Sequence, residues 1–313
     1  MYYPYLRGKQ FELLALREFA ENYSEDCRVF PIIEPVKSSF NSMKIAFKKL
    51  NEKNIPYAII LNPQNGELIG KSEIILNELA ELLTDSYLWT PAYIVNTNAK
   101  GIKINIQEKG YRNVVLICED SVDASNPFFE ELIALPEVTK VLISNDSRSL
   151  KRKLDRLEKE VIRFDDKFKP QKRNADYEDI PEEKFTEEHR YYIDDRYQGF
   201  GDYTVLPSEF SEGGRLPYAV AIHLTYEKNA EEVWVRHFVS DTNDDNTNIQ
   251  GKFGEAVEKA VRFFESISYS NNSIDELSRY YNESQYPGLG ILKKISIKNH
   301  LELMNGILTS TAL

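Results

Sequence analysis

The sequence predicts an α/β protein, a (β/α)8 barrel of the TIM type carrying an inserted charged segment at about 165–200 and an added β-hairpin. Three observations lead there. Short apolar runs rich in Val and Ile recur along the first half of the chain. They are mostly continuous rather than alternating, as strands buried on both faces are. Segments of helical spacing separate them at repeats of about 25–30 residues, the length of a βα unit. The competing arrangement is a doubly wound open sheet. No G-x-G-x-x-G follows the first run and no Walker loop occurs, so the nucleotide-binding versions of that sheet lose support.

The expected strands, in order, are Tyr2–Leu6, Val29–Ile33, Ala58–Leu61, Ala92–Val95, Val114–Cys118, Val141–Ile143 and a short seventh at Val161–Phe164. Between them, Phe40, Met43, Phe47 and Leu50 share one helix face, as do Leu150, Leu154, Leu157 and Val161. Asn126 before Pro127 reads as an N-cap with proline in the first turn. From Lys151 the chain becomes strongly charged, with a helical stretch expected near 181–196. Then 199-GFGDYTVLP-207 reads as a glycine turn followed by a strand. The alternating runs 218-YAVAIHLTY-226 and 233-VWVRHFVSD-241 read as an antiparallel hairpin, or as one barrel strand with an added neighbour. C-terminal helices are expected over about 252–313, near 252–267, 274–282 and 297–308, with a turn at 287-PGLG-290. No composition break divides 1–313 into separate domains.

Composition narrows the function classes. The chain has 313 residues and a net charge of −11, which disfavours a general affinity for nucleic acid backbones. A local contact through 169-KPQKR-173, with Phe168 and Tyr177 for stacking, is the one arrangement that would run against this. No apolar run is long enough to span a membrane, and the first ten residues lack the layout of a secretion signal. Cys27 and Cys118 match no zinc or redox spacing, so a reduced, cytoplasmic protein with two packing cysteines is expected.

Candidate chemistry collects at the strand ends, the working face of a barrel. Those ends carry Arg7, Lys9, Glu34, Lys37, Asn62, Asn96, Glu119, Asp120, Ser144, Asn145, Asp165 and Asp166. Glu34 stands out, ending the apolar stretch in 28-RVFPIIEPVK-37. A carboxylate there is expected to reach water, while its backbone is buried. The stretch 171-QKRNADY-177 gathers Arg173, Asn174, Asp176 and Tyr177, and Asp202 follows two glycines. In the hairpin, Arg236 and His237 point to opposite faces, so only one of them shares a face with His223. His189 and His300 read as surface residues. Ordinary solvation of loops also explains each tip residue taken singly, and a histidine in an apolar strand is commonly a hydrogen-bonded core residue. A mixed His and Asp/Glu set would suit a divalent metal, yet the spacing matches no metal motif, so the cofactor is left open.

The stretches MYYPYLRGKQFELLALRE, FPIIEPVK, FKPQKRNADY, GFGDYTVLP, YAVAIHLTY, VRHFVSD and YPGLGILKKISIKNHLELM together resemble the uncharacterised bacterial beta-family proteins, the branch like a phage beta protein. The resemblance runs along almost the whole chain. It implies a barrel-like fold, no established reaction, and an accessory gene beside others of suspected phage-defence or mobile-element role. Its recurrent positions fall on Arg7, Lys9, Glu34, Arg173, Asn174, Asp176, Tyr177, Asp202, His223, His237 and Asp241. Two functions follow. The first is a hydrolase or transferase for a small anionic, nucleotide-like substrate. Glu34, Asp176, Asp202, His223 and His237 would act in catalysis, and Arg7, Lys9, Arg173, Asn174, Tyr177 and Arg236 would bind substrate. The second is a non-enzymatic binding or regulatory subunit for a protein partner encoded nearby.

Overall fold

The computed structural model describes residues 1–23, 26–119, 121–144, 146–212 and 216–310. Among these residues, eight parallel strands close into a barrel. They are β1 (Tyr2–Arg7), β2 (Ile32–Glu34), β3 (Tyr57–Ile60), β4 (Trp89–Val95), β5 (Val114–Cys118), β6 (Val138–Ile143), β7 (Glu160–Asp165) and, after an excursion through β8 (Glu182–Thr186), β9 (Gly199–Asp202). β9 lies between β7 and β1, with Asp165 and Pro4 both level with Asp202. The barrel, not the open sheet, is therefore the fold.

The helices that follow the first strands are α1 (Gln10–Asn22), α2 (Asn41–Glu52), α3 (Ser72–Leu79), α4 (Ala99–Lys109), α5 (Pro127–Ile133) and α6 (Arg148–Arg156). α2 buries the expected face, Met43, Ala46, Phe47 and Leu50; burying one such large side chain contributes about 2 kcal/mol. Asn126 caps α5 by accepting from the N–H groups of Phe128 and Phe129. α6 stops at Arg156, and Val161, expected on its face, belongs to β7.

The interior is packed, not hollow. Tyr3, Tyr5, Phe30 and Phe164 fill it, with Ala58 and Ala92 among the smaller lining residues. This explains the two glycines of β9, which serve space and not turn geometry. A Cβ at Gly201 would collide with the Tyr3 carbonyl, and one at Gly199 with the Tyr3 ring. The stretch GFGD is thus the strand itself, and Asp202 ends it instead of starting one.

The segment beyond β9 makes a second layer. β10 (Ala221–Lys228) and β11 (Glu232–Val239) form the expected hairpin, and β8 joins the outer side of β11 in a three-stranded antiparallel sheet. Lys228 pairs with Glu232, so the turn is Asn229–Ala230–Glu231, with Asn229 and Ala230 left-handed. The helix expected over 181–196 is instead β8 followed by the single turn α7 (Glu188–Tyr191). Its helical pattern yields because β11 offers an unpaired edge, a tertiary partner that propensity does not see. Ile222, Leu224, Tyr226 and Phe238 pack one face of the sheet against α8 (Ile249–Ser266) and α9 (Asn272–Asn282). The last helix, α10 (Leu289–Ser310), packs on α1, β1 and β10 and takes the eighth helix position. It begins within the PGLG stretch, eight residues earlier than expected at 297. No helix among the described residues is long and apolar enough to cross a membrane.

Candidate functional site

After β9 the chain crosses the mouth of the barrel as a strap, residues 203–212. Tyr203 closes the interior, its ring 5.0 Å from those of Tyr5 and Phe164. Arg7, only 6% exposed at the tip of β1, donates to the carbonyl of Pro207 (2.9 Å) and to that of Ser208. Ser208 in turn donates to Asp166 from the opposite side. Lys9 donates to the Ser211 carbonyl (2.7 Å) and sits 4.4 Å above the Phe210 ring. Lys37 lies between Glu67 (3.1 Å) and Glu212 (3.0 Å).

Glu34 overturns the expectation of a water-exposed carboxylate. It is 0% exposed. Its Oε1 accepts from the backbone N–H of Gln64 (2.8 Å) and Asn65 (3.0 Å), and both oxygens accept from the Asn65 amide. The Tyr5 hydroxyl lies against it, its pKa raised by burial and then by that carboxylate. The charge is buried because it ties the β3 loop to β2, with backbone amides in place of water.

Beside the strap lie two adjoining depressions. A cleft of 890 Å³ is lined by Lys9, Lys37, Ser38, Ser42, Ser211 and Lys293, among others. The first turns of α1, α2 and α10 all border it, and neither α1 nor α2 carries a side-chain cap. Helix N-termini present unpaired N–H groups and partial positive charge. The pKa of Lys9 is lowered by burial and then by the ammonium of Lys293, so two cations crowd one wall. A cavity of 380 Å³ adjoins it, sharing Leu289 and Lys293 and lined further by Phe168, Asn174, Leu206 and His223.

His223 enters that cavity from β10. His237 stands directly opposite on β11, on the same face, and the two Nδ1 atoms are 2.7 Å apart. That contact needs one proton between two lone pairs, so one imidazole donates and the other accepts. Burial pushes His223 down to about 3, with His237 adding to the effect, and His237 down to about 4. Both rings pack on Tyr177, at 4.6 and 4.5 Å. Beyond them, Glu183 Oε1 stands 3.7 Å from His237 Nε2.

The expected convergence on one mouth is not found. Asn174, Tyr177, His223 and His237 are brought together, with Lys9 in the adjoining cleft and Arg7 under the strap. Asp202 faces outward from β9 and accepts from the Tyr2 hydroxyl (2.6 Å) and the Thr204 N–H (2.7 Å). Period-2 alternation decides this, since the glycines on either side of Phe200 take the inward positions. Arg173 and Asp176 pair with each other on an exposed turn, at 2.6 Å. Arg236 turns to the other face of the sheet and binds Glu182 (3.0 Å). Glu119, Ser144, Asp165 and Asp166 border a separate depression of 440 Å³; Asp120 and Asn145 lie outside the described residues. Among the described residues, no group of three or more His, Cys, Asp or Glu is placed to hold a metal ion.

His189 and His300, read as surface residues, are 7% and 0% exposed. His300 contacts Thr225 through Nδ1 (3.1 Å), and its Nε2 stops 3.6 Å from Asp202. Lys293 and Glu12 were not visible as site residues. Lys293 is the exposed neighbour of Lys294, which is buried against Glu18 and Glu276; the Lys-Lys pair was a signal only once the buried member was known. Glu12 accepts from the Arg7 N–H (2.5 Å), and burial pushes its carboxyl up to about 7.

Compared with known proteins, the chain matches no family model, no curated protein and no solved structure.

Proposed function

We propose that the chain binds a small anionic, nucleotide-sized molecule across the cleft and the cavity. Phosphate oxygens would lie against Lys9, Lys37 and Lys293, and an apolar, planar part against Phe168, Leu206 and Leu292. The observation that supports this most directly is that the cationic cleft and the apolar cavity adjoin at Lys293. Each volume falls in the usual range for small-molecule sites, about 300–1,000 Å³. In the hydrolase or transferase form of this reading, His223 exchanges the proton with the ligand and His237 holds its ring in place.

The test is calorimetric titration with a nucleoside 5′-monophosphate and with the parent nucleoside. The nucleotide is expected to bind, the nucleoside to bind much more weakly. Lys293→Glu is expected to weaken the nucleotide by at least about tenfold, the effect of turning one charge-assisted contact into a repulsion. Its melting temperature should move little, since Lys293 is exposed and, among the described residues, makes no hydrogen bond or ion pair. Equal binding of nucleotide and nucleoside would sink the proposal.

The second reading, a non-catalytic subunit, draws on a different observation. Glu34 and Asp202 are engaged inside the protein and Asp176 is paired with Arg173 on an exposed turn, and imidazoles pushed to about 3 and 4 are weak bases at neutral pH. Binding without turnover of any nucleotide would favour it, as would co-purification with a neighbouring gene product. Membership of the beta-family branch and a role in phage defence belong to the same proposal. A plaque assay comparing the wild type with Lys293→Glu tests them.

A further inference from the structure

We propose that Glu212 occupies a phosphate subsite at Lys9 and Lys37, and that a ligand phosphate taking its place lifts the far end of the strap. This rests on the reading of the cleft as an anion site. The strap has two differently held parts. Its near end is anchored in the barrel, by Tyr203 on Tyr5 and Phe164 and by Pro207 and Ser208 on the buried Arg7. Its far end is held through Lys9 on the Ser211 carbonyl, Lys9 above the Phe210 ring, and Lys37 on the Glu212 carboxylate. Each of these three contacts uses a cation that lines the cleft, and Arg7, which does not, reaches the Phe210 ring only at 5.9 Å.

The two carboxylates on Lys37 are not equivalent. Glu67 is built into its loop. Its own N–H donates to the Val36 carbonyl (2.8 Å), and its carboxylate accepts from the Ser38 hydroxyl and the Ser38 N–H (3.1 Å), which together with Lys37 hold it down at about 2. Among the described residues, Glu212 accepts a hydrogen bond from Lys37 only, and half of its side chain is exposed. Exposed single ion pairs contribute little. A phosphate dianion brings more charge and more acceptor oxygens to the same ammonium groups. The carbonyl of Ser211 is neutral, and Glu12 and Glu212 act on Lys9 only through space, so among the described residues no carboxylate is hydrogen-bonded to that ammonium and the same ligand displaces the carbonyl. Release is therefore confined to residues 209–212, while Arg7 keeps the near end in place.

Inorganic pyrophosphate is the probe, titrated calorimetrically into the wild type, Glu212→Gln and Glu209→Gln. Glu209 is an exposed strap carboxylate with no ion-pair partner among the described residues, so its variant changes net charge equally. Glu212→Gln is expected to bind about threefold to fivefold tighter, the factor for removing a competing exposed ion pair, and Glu209→Gln to match the wild type. In the wild type, pyrophosphate is expected to speed chymotrypsin cleavage after Phe210. Binding with equal affinity in all three proteins, equal tightening in both variants, or slower cleavage overturns the strap proposal and leaves the cleft reading standing. No binding of pyrophosphate to any of the three, together with no binding of the nucleotide, overturns both.

Discussion

The two sides of the barrel mouth hold their charged groups differently. On the β1–β2 side Arg7, Lys9 and Lys37 face the strap, largely through its carbonyl oxygens. On the β5–β7 side Glu119, Asp146, Asp165 and Asp166 border their own depression. There Asp165 is neutralised by Arg163 (2.8 Å) and Lys167 (3.0 Å), and Asp166 takes the Ser208 hydroxyl. Carbonyls satisfy a cation's hydrogen bonds without cancelling its charge, so Arg7 and Lys9 keep a field that attracts anions, while Lys37 is balanced by Glu67 and Glu212. The second side keeps carboxylates that repel them. One barrel mouth thus sorts ligands by side, and the strap divides it.

The largest effect is expected of Arg7→Ala. It strips two carbonyls of a buried charged donor, and about 3 kcal/mol of stability should be lost in urea unfolding. A variant as stable as the wild type would show that the strap is not anchored there. Next comes pH, which should act in opposite directions on two regions. Glu12, raised to about 7 beneath the basic side, binds its proton more tightly folded than unfolded. Its contribution is full below pH 4.5 and is lost as pH rises through 7. The His223–His237 pair is lowered to about 3 and 4, so its contribution is present above pH 6.5 and is lost as pH falls toward those values. The groups facing that pair are Tyr177 and Glu183, with Lys169 bound to Glu183. Melting temperatures from pH 4 to pH 9 should therefore rise relative to the wild type above pH 7 in Glu12→Gln. If that variant follows the wild-type profile throughout, burial of Glu12 is not what raises it. The smallest effect is expected on the acidic side. Glu119→Gln should change nucleotide affinity by less than about twofold, as one exposed charge screened by salt does. A larger change would mean that ligand reaches across the strap.

Much of the architecture could be read locally. The runs around Val29, Ala58, Ala92, Val114 and Val141 became strands, and Met43, Phe47 and Leu50 became a buried helix face, because period and apolarity are properties of neighbouring residues. Period-2 alternation allows only one of Arg236 and His237 on the face of His223, and His237 is the one found there. The site was less legible. Glu34 was correctly seen at a strand end, yet the β3 loop buries it, and Asp202, expected at a strand start, ends β9 and turns outward toward Tyr2. His300 looks like a surface residue beside Lys298 and Glu302 until β10 and β9 close over it.

By itself, then, the order of residues determined that repeating βα units would form a barrel, that a hairpin would follow, and that cations would stand at the first two strand tips. Only the tertiary structure decided which of those charges face one another, which meet backbone amides, and which line open space. The reason is physical. Periodicity is set within a few residues, whereas the environment of an ionisable group is set by elements up to 200 positions away, as Arg7 and Pro207 are.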